Sequence, residues 1–352
     1  MAFQTIPNVI ISGIAACVPK NIEKNIDSSL FSNLDDATKF IKSTGIVEKR
    51  TVSDDLTSSD LCYYAAEKLI SNLNWGKEDI DCLIFITQTP DFIVPATSCI
   101  LQNRLGLSKE CHAFDVTLGC SAWVYGLSIM GSLISSGNFK KGLLLVGETT
   151  TKTKSKQDKS TYPLFGDAGS ATAIEFSPGS SGFKVHSGTD GSKFSAINIP
   201  DGGFRSQTNL NSLDMVKFEE GVVRNKLQYI MDGAAVFTFT ITTVPKSITL
   251  LMEKSQVENE NIDFLLLHQA NKMIVDKVSS KLKFEEERVP TSYEKFGNTS
   301  CSSIPLTMVH KISSHLRTKK LNLIACGFGS GLSWATAYFE TKNIICPDLI
   351  EV

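Results

Sequence analysis

Two short runs decide the fold, Asp79-Ile-Asp-Cys-Leu-Ile-Phe85 and Asn261-Ile-Asp-Phe-Leu-Leu-Leu267. Each sets an acidic turn before a block of apolar residues, and Ile80 and Ile262 lie 182 positions apart. A second pair, Leu143-Leu-Leu-Val-Gly-Glu-Thr-Thr150 and Asn322-Leu-Ile-Ala-Cys-Gly-Phe-Gly-Ser330, places Gly147 and Gly327 180 positions apart. Two matches at nearly one offset, close to half of the 352 residues, point to a duplicated unit.

Working outward, both halves carry the same order of signals. A helix-compatible stretch (56–73; about 234–254) precedes the apolar run, a helix opening on small residues (121–136; 302–314) follows it, and a short buried strand (142–146; 321–326) closes the unit. Apolar runs of this length, bounded by Gly, Lys and Asn, fit strands covered on both faces. Strands alternating with helices predict an α/β class with mixed or parallel sheets. Residues 177–224, rich in Gly, Ser, Asp and Asn, read as the connection between the halves and partly as a surface excursion. The expected halves are 1–180 and 181–352, meeting at a central cleft where sites commonly lie.

Composition removes several function classes. Hydrophobic residues make up 42% and charged residues 20%, as in ordinary globular chains. A net charge of -2 supplies no field for nucleic acid. Nine cysteines occur without CxxC or HxxxH spacing, so neither a zinc site nor a disulfide framework is indicated. Thiols in apolar runs, such as Cys82 and Cys326, suit a reducing compartment. The N-terminal apolar stretch has no preceding Lys or Arg and is broken by Ser12 and Gly13, so it reads as a strand, not a signal peptide. No segment reads as an uninterrupted transmembrane length, and the expectation is a cytoplasmic protein with no membrane partner.

Three segments carry candidate chemistry. In Asp115-Val-Thr-Leu-Gly-Cys-Ser-Ala-Trp, a strand leads through Gly119 to Cys120 and into a helix. Unpaired amides at a helix N-terminus favour an anion, which predicts a lowered thiol pKa and a nucleophile, although buried inert cysteines are equally common. His268 ends the apolar run 264–267, where a polar group at the C-terminal end of a strand suits an α/β site; a satisfied core histidine is the simpler reading. Phe296-Gly-Asn-Thr-Ser300 opens a second helix and is the counterpart of the Cys120 segment in the repeat, which would bring Asn298 towards the same cleft; alone it reads as a turn and cap. The turn Gly327-Phe-Gly-Ser-Gly331 exposes backbone N–H groups able to cradle an oxyanion. Neither a phosphate-binding P-loop nor a GxSxG elbow is present.

Together these segments resemble the β-ketoacyl-acyl carrier protein synthase III family of the thiolase superfamily. The resemblance runs through Ser43-Thr-Gly-Ile-Val-Glu-Lys-Arg50, Gln88-Thr-Pro-Asp91, Phe165-Gly-Asp-Ala-Gly-Ser-Ala171, Met231-Asp-Gly-Ala-Ala-Val-Phe237, His268-Gln-Ala-Asn271, Phe296-Gly-Asn-Thr-Ser300 and Gly327-Phe-Gly-Ser-Gly331, in that order. It implies a thiolase-like fold of two pseudo-symmetric halves layered α-β-α-β-α. It also implies a catalytic triad of Cys120, His268 and Asn298, with the N–H groups of Cys120 and Ser330 as oxyanion hole. Cys120 would take an acyl group from a thioester, and His268 and Asn298 would hold the enolate of a decarboxylating malonyl thioester. Phe328, Gln269, Asn271 and Lys272 are the implied substrate- and carrier-binding residues. Acyl carrier protein is the implied partner and a homodimer the implied assembly, with the segment 88–99 reaching the partner copy's acyl pocket. Neither metal nor redox cofactor is implied.

The departures from the family are informative. Lys39 and Ser43 stand where many relatives place a Trp and an Arg against the adenine of coenzyme A, and Met273 stands where a basic residue often aids carrier docking. A carrier-bound primer and a specialised pathway are therefore the expectation. The basic run 152–159 could meet an acidic carrier, or be a solvated loop. Acyl transfer without condensation is the alternative activity, and a non-catalytic binding paralogue the alternative from another class.

Overall fold

The computed structural model describes residues 2–352. The expected duplication is visible in its sheets. A six-stranded sheet runs Ile350–Glu351, Val9–Val18, Ala168–Phe176, Lys141–Glu148, Cys82–Ile86, His112–Val116. A five-stranded sheet runs Ala2–Ile6, Phe183–Thr189, Ser333–Lys342, Lys320–Gly329, Phe264–Leu267. In both, the strand of the first repeated run lies parallel to that of the second, and the latter pairs antiparallel with the next strand along the chain. The strands named by the sequence repeat are thus structural equivalents.

Five layers follow from how these strands are buried. Ile84 and Ile86 face the central layer, where the helices Ala122–Ser135 and Ser303–Thr318 lie between the sheets with Leu144, Val146, Leu323 and Ala325. Leu83 and Phe85 face outward, against Ser58–Leu73 and Thr97–Arg104. Leu265, Leu267, Ile324 and Cys326 face the opposite outer layer, formed by Gly233–Ser255 and Lys272–Lys281. Strands covered on both faces have no polar side to alternate, which is why they read as continuous apolar runs.

The chain ends cross the boundary near residue 180. Ala2–Ile6 pairs with Phe183–Thr189 in the five-stranded sheet, while Ile350–Glu351 joins Val9–Val18 in the six-stranded one. The stretch 177–224 is also more than a connection. Its Phe183–Thr189 is an interior strand, with Phe183 and Val185 at 1% exposure. Flanking Gly and Ser hid its alternation. The remainder does run over the surface, exposing Phe204, Leu210 and Phe218.

A second difference concerns hydropathy. Helix Gly233–Ser255 has 23 residues and contains an 18-residue window of mean hydropathy 1.4, long and apolar enough by those measures to cross a membrane. In the fold it packs Phe239, Val244, Ile248 and Leu251 onto the five-stranded sheet. The apolarity serves that layer.

The central helices are the least replaceable packing elements. Leu306 is fully buried between the sheets, so Leu306→Ala is expected to cost about 2–5 kcal/mol, read as a lowered denaturant midpoint.

Candidate active site

The two central helices begin at the same place, and their first turns bring the candidate residues together. Cys120 and Ser121 precede Ala122–Ser135, whereas Asn298 to Ser302 precede Ser303–Thr318. Cys120 Sγ lies 3.5 Å from the Ser300 hydroxyl. The end of strand Lys320–Gly329 closes over Cys120: a Cβ on Gly329 would sit 2.8 Å from Cys120 Sγ, and one on Gly327 would sit 2.8 Å from the Cys120 carbonyl oxygen. Only glycine lets this backbone approach the sulfur. Ser330 follows directly, so its N–H belongs to the peptide beside Cys120.

Cys120, His268, Asn298, Phe328 and Gly329 line one cavity of about 620 Å³. The expected nucleophile, both expected donors and the aromatic neighbour therefore share a single space. Phe328 packs edge-on to the His268 ring, 5.3 Å between centroids.

The donor directions can be worked out. His268 Nδ1 faces the Ser303 hydroxyl at 2.7 Å, and that oxygen also receives the Gln269 N–H at 3.4 Å. With that oxygen taking the Gln269 N–H, its own hydrogen is directed at Nδ1, and the ring proton sits on Nε2. Burial lowers the His268 pKa to about 3, so the imidazole is neutral and donates through Nε2–H. Asn298 Oδ1 accepts the Ser300 N–H at 2.9 Å, which leaves the Asn298 NH₂ as the end free to serve a ligand. Its backbone is pinned on both sides: Asn298 N–H donates to Leu164 at 2.8 Å and Gly166 N–H donates to Asn298 at 3.2 Å.

Cys120 departs from expectation. Burial pushes its thiol up to about 11, with the Glu148 carboxylate adding to the rise, against the fall expected from a helix N-terminus. Desolvation of the charged form outweighs the partial charge of the amides. The resting pair is a thiol beside a neutral imidazole.

The other expected residues separate. Asn271 caps Lys272–Lys281 through the Ile274 N–H at 2.9 Å and lines the cavity. Gln269 does not reach it. This side chain is fully buried, donating to the Leu267 carbonyl at 2.8 Å and accepting from the Ser292 N–H at 2.8 Å, so it braces backbone and is closed to a carrier. Lys272 is exposed and paired with Asp276 at 2.7 Å. Lys39, Lys159 and Met273 line the outer part of the cavity beside a Phe31–Phe40 pair, whereas Ser43 turns back onto the Phe40 carbonyl.

Sequence reasoning missed Ser300, Ser303, Glu148, Lys154 and Tyr229. Glu148 offered a signal, a carboxylate ending the otherwise apolar strand Lys141–Glu148. It is buried and accepts the Gln88 N–H at 3.1 Å. The run 152–159 is not uniformly solvated either: Lys152 is exposed, and Lys154 is only 4% exposed.

Comparison with known proteins places these features in context. Residues 114–191 match the family described as 3-oxoacyl-[acyl-carrier-protein (ACP)] synthase III, and residues 252–341 match the C-terminal family of that synthase. The chain is 36% identical over 328 residues to a beta-ketoacyl-[acyl-carrier-protein] synthase III of Streptococcus agalactiae, covering 93% of this chain and 97% of that one. It is 32% identical over 335 residues to a protein of the same name from Fusobacterium nucleatum, covering 94% and 98%. The crystal structure of a 3-oxoacyl-(acyl-carrier protein) synthase from Burkholderia xenovorans aligns with a TM-score of 0.92 over 99% of both chains, at 33% identity.

Two outcomes follow from the geometry. Gly329→Ala places a methyl against the sulfur and is expected to slow alkylation of Cys120 by roughly tenfold or more, measured by mass spectrometry. The second concerns acid. His268 has a folded pKa of about 3, below its unfolded value of roughly 6.5. Its stability contribution is complete above the unfolded value and is lost as pH falls from there towards 3. The melting temperature should drop across that window, and less steeply in His268→Gln.

Proposed function

The chain belongs to the 3-oxoacyl-[acyl-carrier-protein] synthase III family, and from that premise we propose that it condenses an acyl group carried on Cys120 with a malonyl thioester, making a 3-oxoacyl thioester for fatty-acid or polyketide-type synthesis. The observation that carries this reading is the convergence of Cys120, His268 and Asn298, from three separate chain segments, on one cavity.

The steps balance as follows. Cys120 sulfur bonds to the carbonyl carbon of the primer thioester, the carrier sulfur leaves, and the thiol proton departs with it. The N–H groups of Cys120 and Ser330 hold the oxyanion of this addition. The malonyl thioester then loses CO₂. The electron pair of the broken carbon–carbon bond becomes an enolate, whose oxygen accepts hydrogen bonds from His268 Nε2–H and the Asn298 NH₂. Uncharged donors suit this task because they need no compensating counter-charge in a buried site, and preorganised dipoles act strongly there. The enolate carbon attacks the acyl-Cys120 carbonyl, and the Cys120 sulfur leaves and regains a proton. The proposed chemistry calls on no metal or redox group.

We assign the primer to a carrier protein in preference to coenzyme A, because Lys39 and Ser43 stand in place of an adenine-binding Trp and Arg, and the aromatic rings beside them, Phe31 and Phe40, pack against each other. We read the active form as a homodimer. Phe92, Ile93 and Val94 are 59, 75 and 80% exposed, a contiguous apolar patch that a second copy would cover. Nine free cysteines, seven of them buried, favour the cytoplasm as its compartment.

The test separates the two half-reactions. His268→Ala and Asn298→Ala should still accept an acyl group but release CO₂ from malonyl carrier protein at least about a hundredfold more slowly. Undiminished CO₂ release in both variants would exclude condensation at these donors and favour simple acyl transfer.

A further inference from the structure

The turn 300–303 opens the second central helix, and its side chains point two ways. Cys301 and Ser302 fasten it to the six-stranded sheet. The Ser302 hydroxyl donates to the Val146 carbonyl at 2.7 Å and to the Ala168 carbonyl at 3.1 Å, and Cys301 Sγ lies 3.9 Å from the Ile86 carbonyl. Ser300 and Ser303 turn to the site instead. The Ser300 hydroxyl lies 3.5 Å from Cys120 Sγ, and the Ser303 hydroxyl lies 2.7 Å from His268 Nδ1. Both serines are buried. Cys120 and His268 line the cavity, so each serine acts on it through the residue it touches.

Each contact has a chemical consequence. Ser300 has a φ of 48°, a left-handed conformation that strains a residue with a Cβ and would not strain glycine. It directs the Ser300 N–H to Asn298 Oδ1 at 2.9 Å while the hydroxyl meets the sulfur. Glycine would supply the N–H as well, so the hydroxyl is what the strained residue adds. A thiolate only accepts, so once Cys120 loses its proton the Ser300 hydroxyl is the donor, in a charge-assisted hydrogen bond. At Ser303 the oxygen takes the Gln269 N–H at 3.4 Å, which directs its hydrogen to Nδ1. Ser303 is braced in turn, because the Thr307 hydroxyl donates to its carbonyl at 2.7 Å. Without the Ser303 hydroxyl, Nδ1 loses its donor and the ring can place its proton on either nitrogen.

We infer that Ser300 and Ser303 are positioning residues that divide the two half-reactions between them: Ser300 holds the Cys120 sulfur for acylation, and Ser303 fixes the His268 tautomer for decarboxylation. This deepens the proposed condensation and rests on its reading of Cys120 and His268. Cys120 follows an edge strand of the six-stranded sheet, and His268 follows an edge strand of the five-stranded one. One anchored turn thereby aligns a nucleophile from one half of the chain with a donor from the other.

Two substrate-free measurements on the full chain test the division. One is the rate of Cys120 carboxamidomethylation by iodoacetamide, followed by peptide mass spectrometry; the sulfur bonds to the methylene carbon, iodide leaves and the thiol proton passes to solvent. The other is the ring-nitrogen resonances of His268 by NMR, assigned by their loss in His268→Gln. Ser300→Gly keeps the N–H and relaxes the backbone, so it should slow alkylation roughly tenfold and leave the His268 resonances in place. Ser303→Ala should displace the Nδ1 resonance and leave alkylation within about twofold. Release of CO₂ from malonyl-N-acetylcysteamine without primer should fall roughly tenfold in Ser303→Ala and hold in Ser300→Gly. An unmoved alkylation rate in Ser300→Gly, an unmoved resonance in Ser303→Ala, or both readouts moving together in either variant overturns the inference. Should Ser303→Ala fail to fold, Ser303→Cys, of nearly the same shape and a weaker donor, is held to the same outcome. Failure of the substrate-free measurements leaves the condensation reading standing, whereas a wild type that is alkylated normally but releases no CO₂ overturns that reading and, with it, the roles assigned to the two serines.

Discussion

Everything at the candidate site depends on one steric constraint, the contact between the Gly327–Gly329 backbone of one sheet and the Cys120–Ser121 backbone that opens a central helix from the other half. Cβ atoms at Gly327 and Gly329 would meet the Cys120 carbonyl oxygen and sulfur at 2.8 Å. Any other residue would force the sheets apart or push the thiol from the cavity. The same demand recurs nearby, where Gly297 takes a φ of 63° to release the chain from Tyr293–Phe296 into Asn298. The duplicated fold brings two helix starts face to face, and glycine removes the side chains that would keep them apart.

Burial at this junction sets the electrostatics. Histidine is driven neutral and the cysteine is held as a thiol, so neither resting catalytic side chain carries a charge. A neutral imidazole with a defined tautomer and an amide with a defined orientation are donors fixed before any substrate arrives. Such donors favour a developing oxyanion without reorganising.

Much of this was legible in the sequence, for identifiable reasons. The repeat at 180 and 182 residues was readable because strands covered on both faces cannot vary their polarity. The convergence of Asn298 with Cys120 followed from the duplication, but the roles of the residues came from the family resemblance. What stayed hidden depends on contacts between distant segments. Lys154 looks solvated until Tyr229 folds over it. Gln269 looks like a recognition residue until its amide is seen bonded at both ends to backbone. Strand Phe183–Thr189 is masked by the glycines and serines around it, and the direction of the Cys120 pKa reverses once burial is counted.

The central claim is that Cys120 carries the acyl group, and intact-mass spectrometry after incubation with a panel of acyl carrier proteins and acyl-CoAs tests it most directly. The account predicts a single acyl adduct from a carrier-bound donor, located on Cys120 by peptide mapping and absent in Cys120→Ala. An adduct that persists in Cys120→Ala, or none from any donor in the panel, would contradict it.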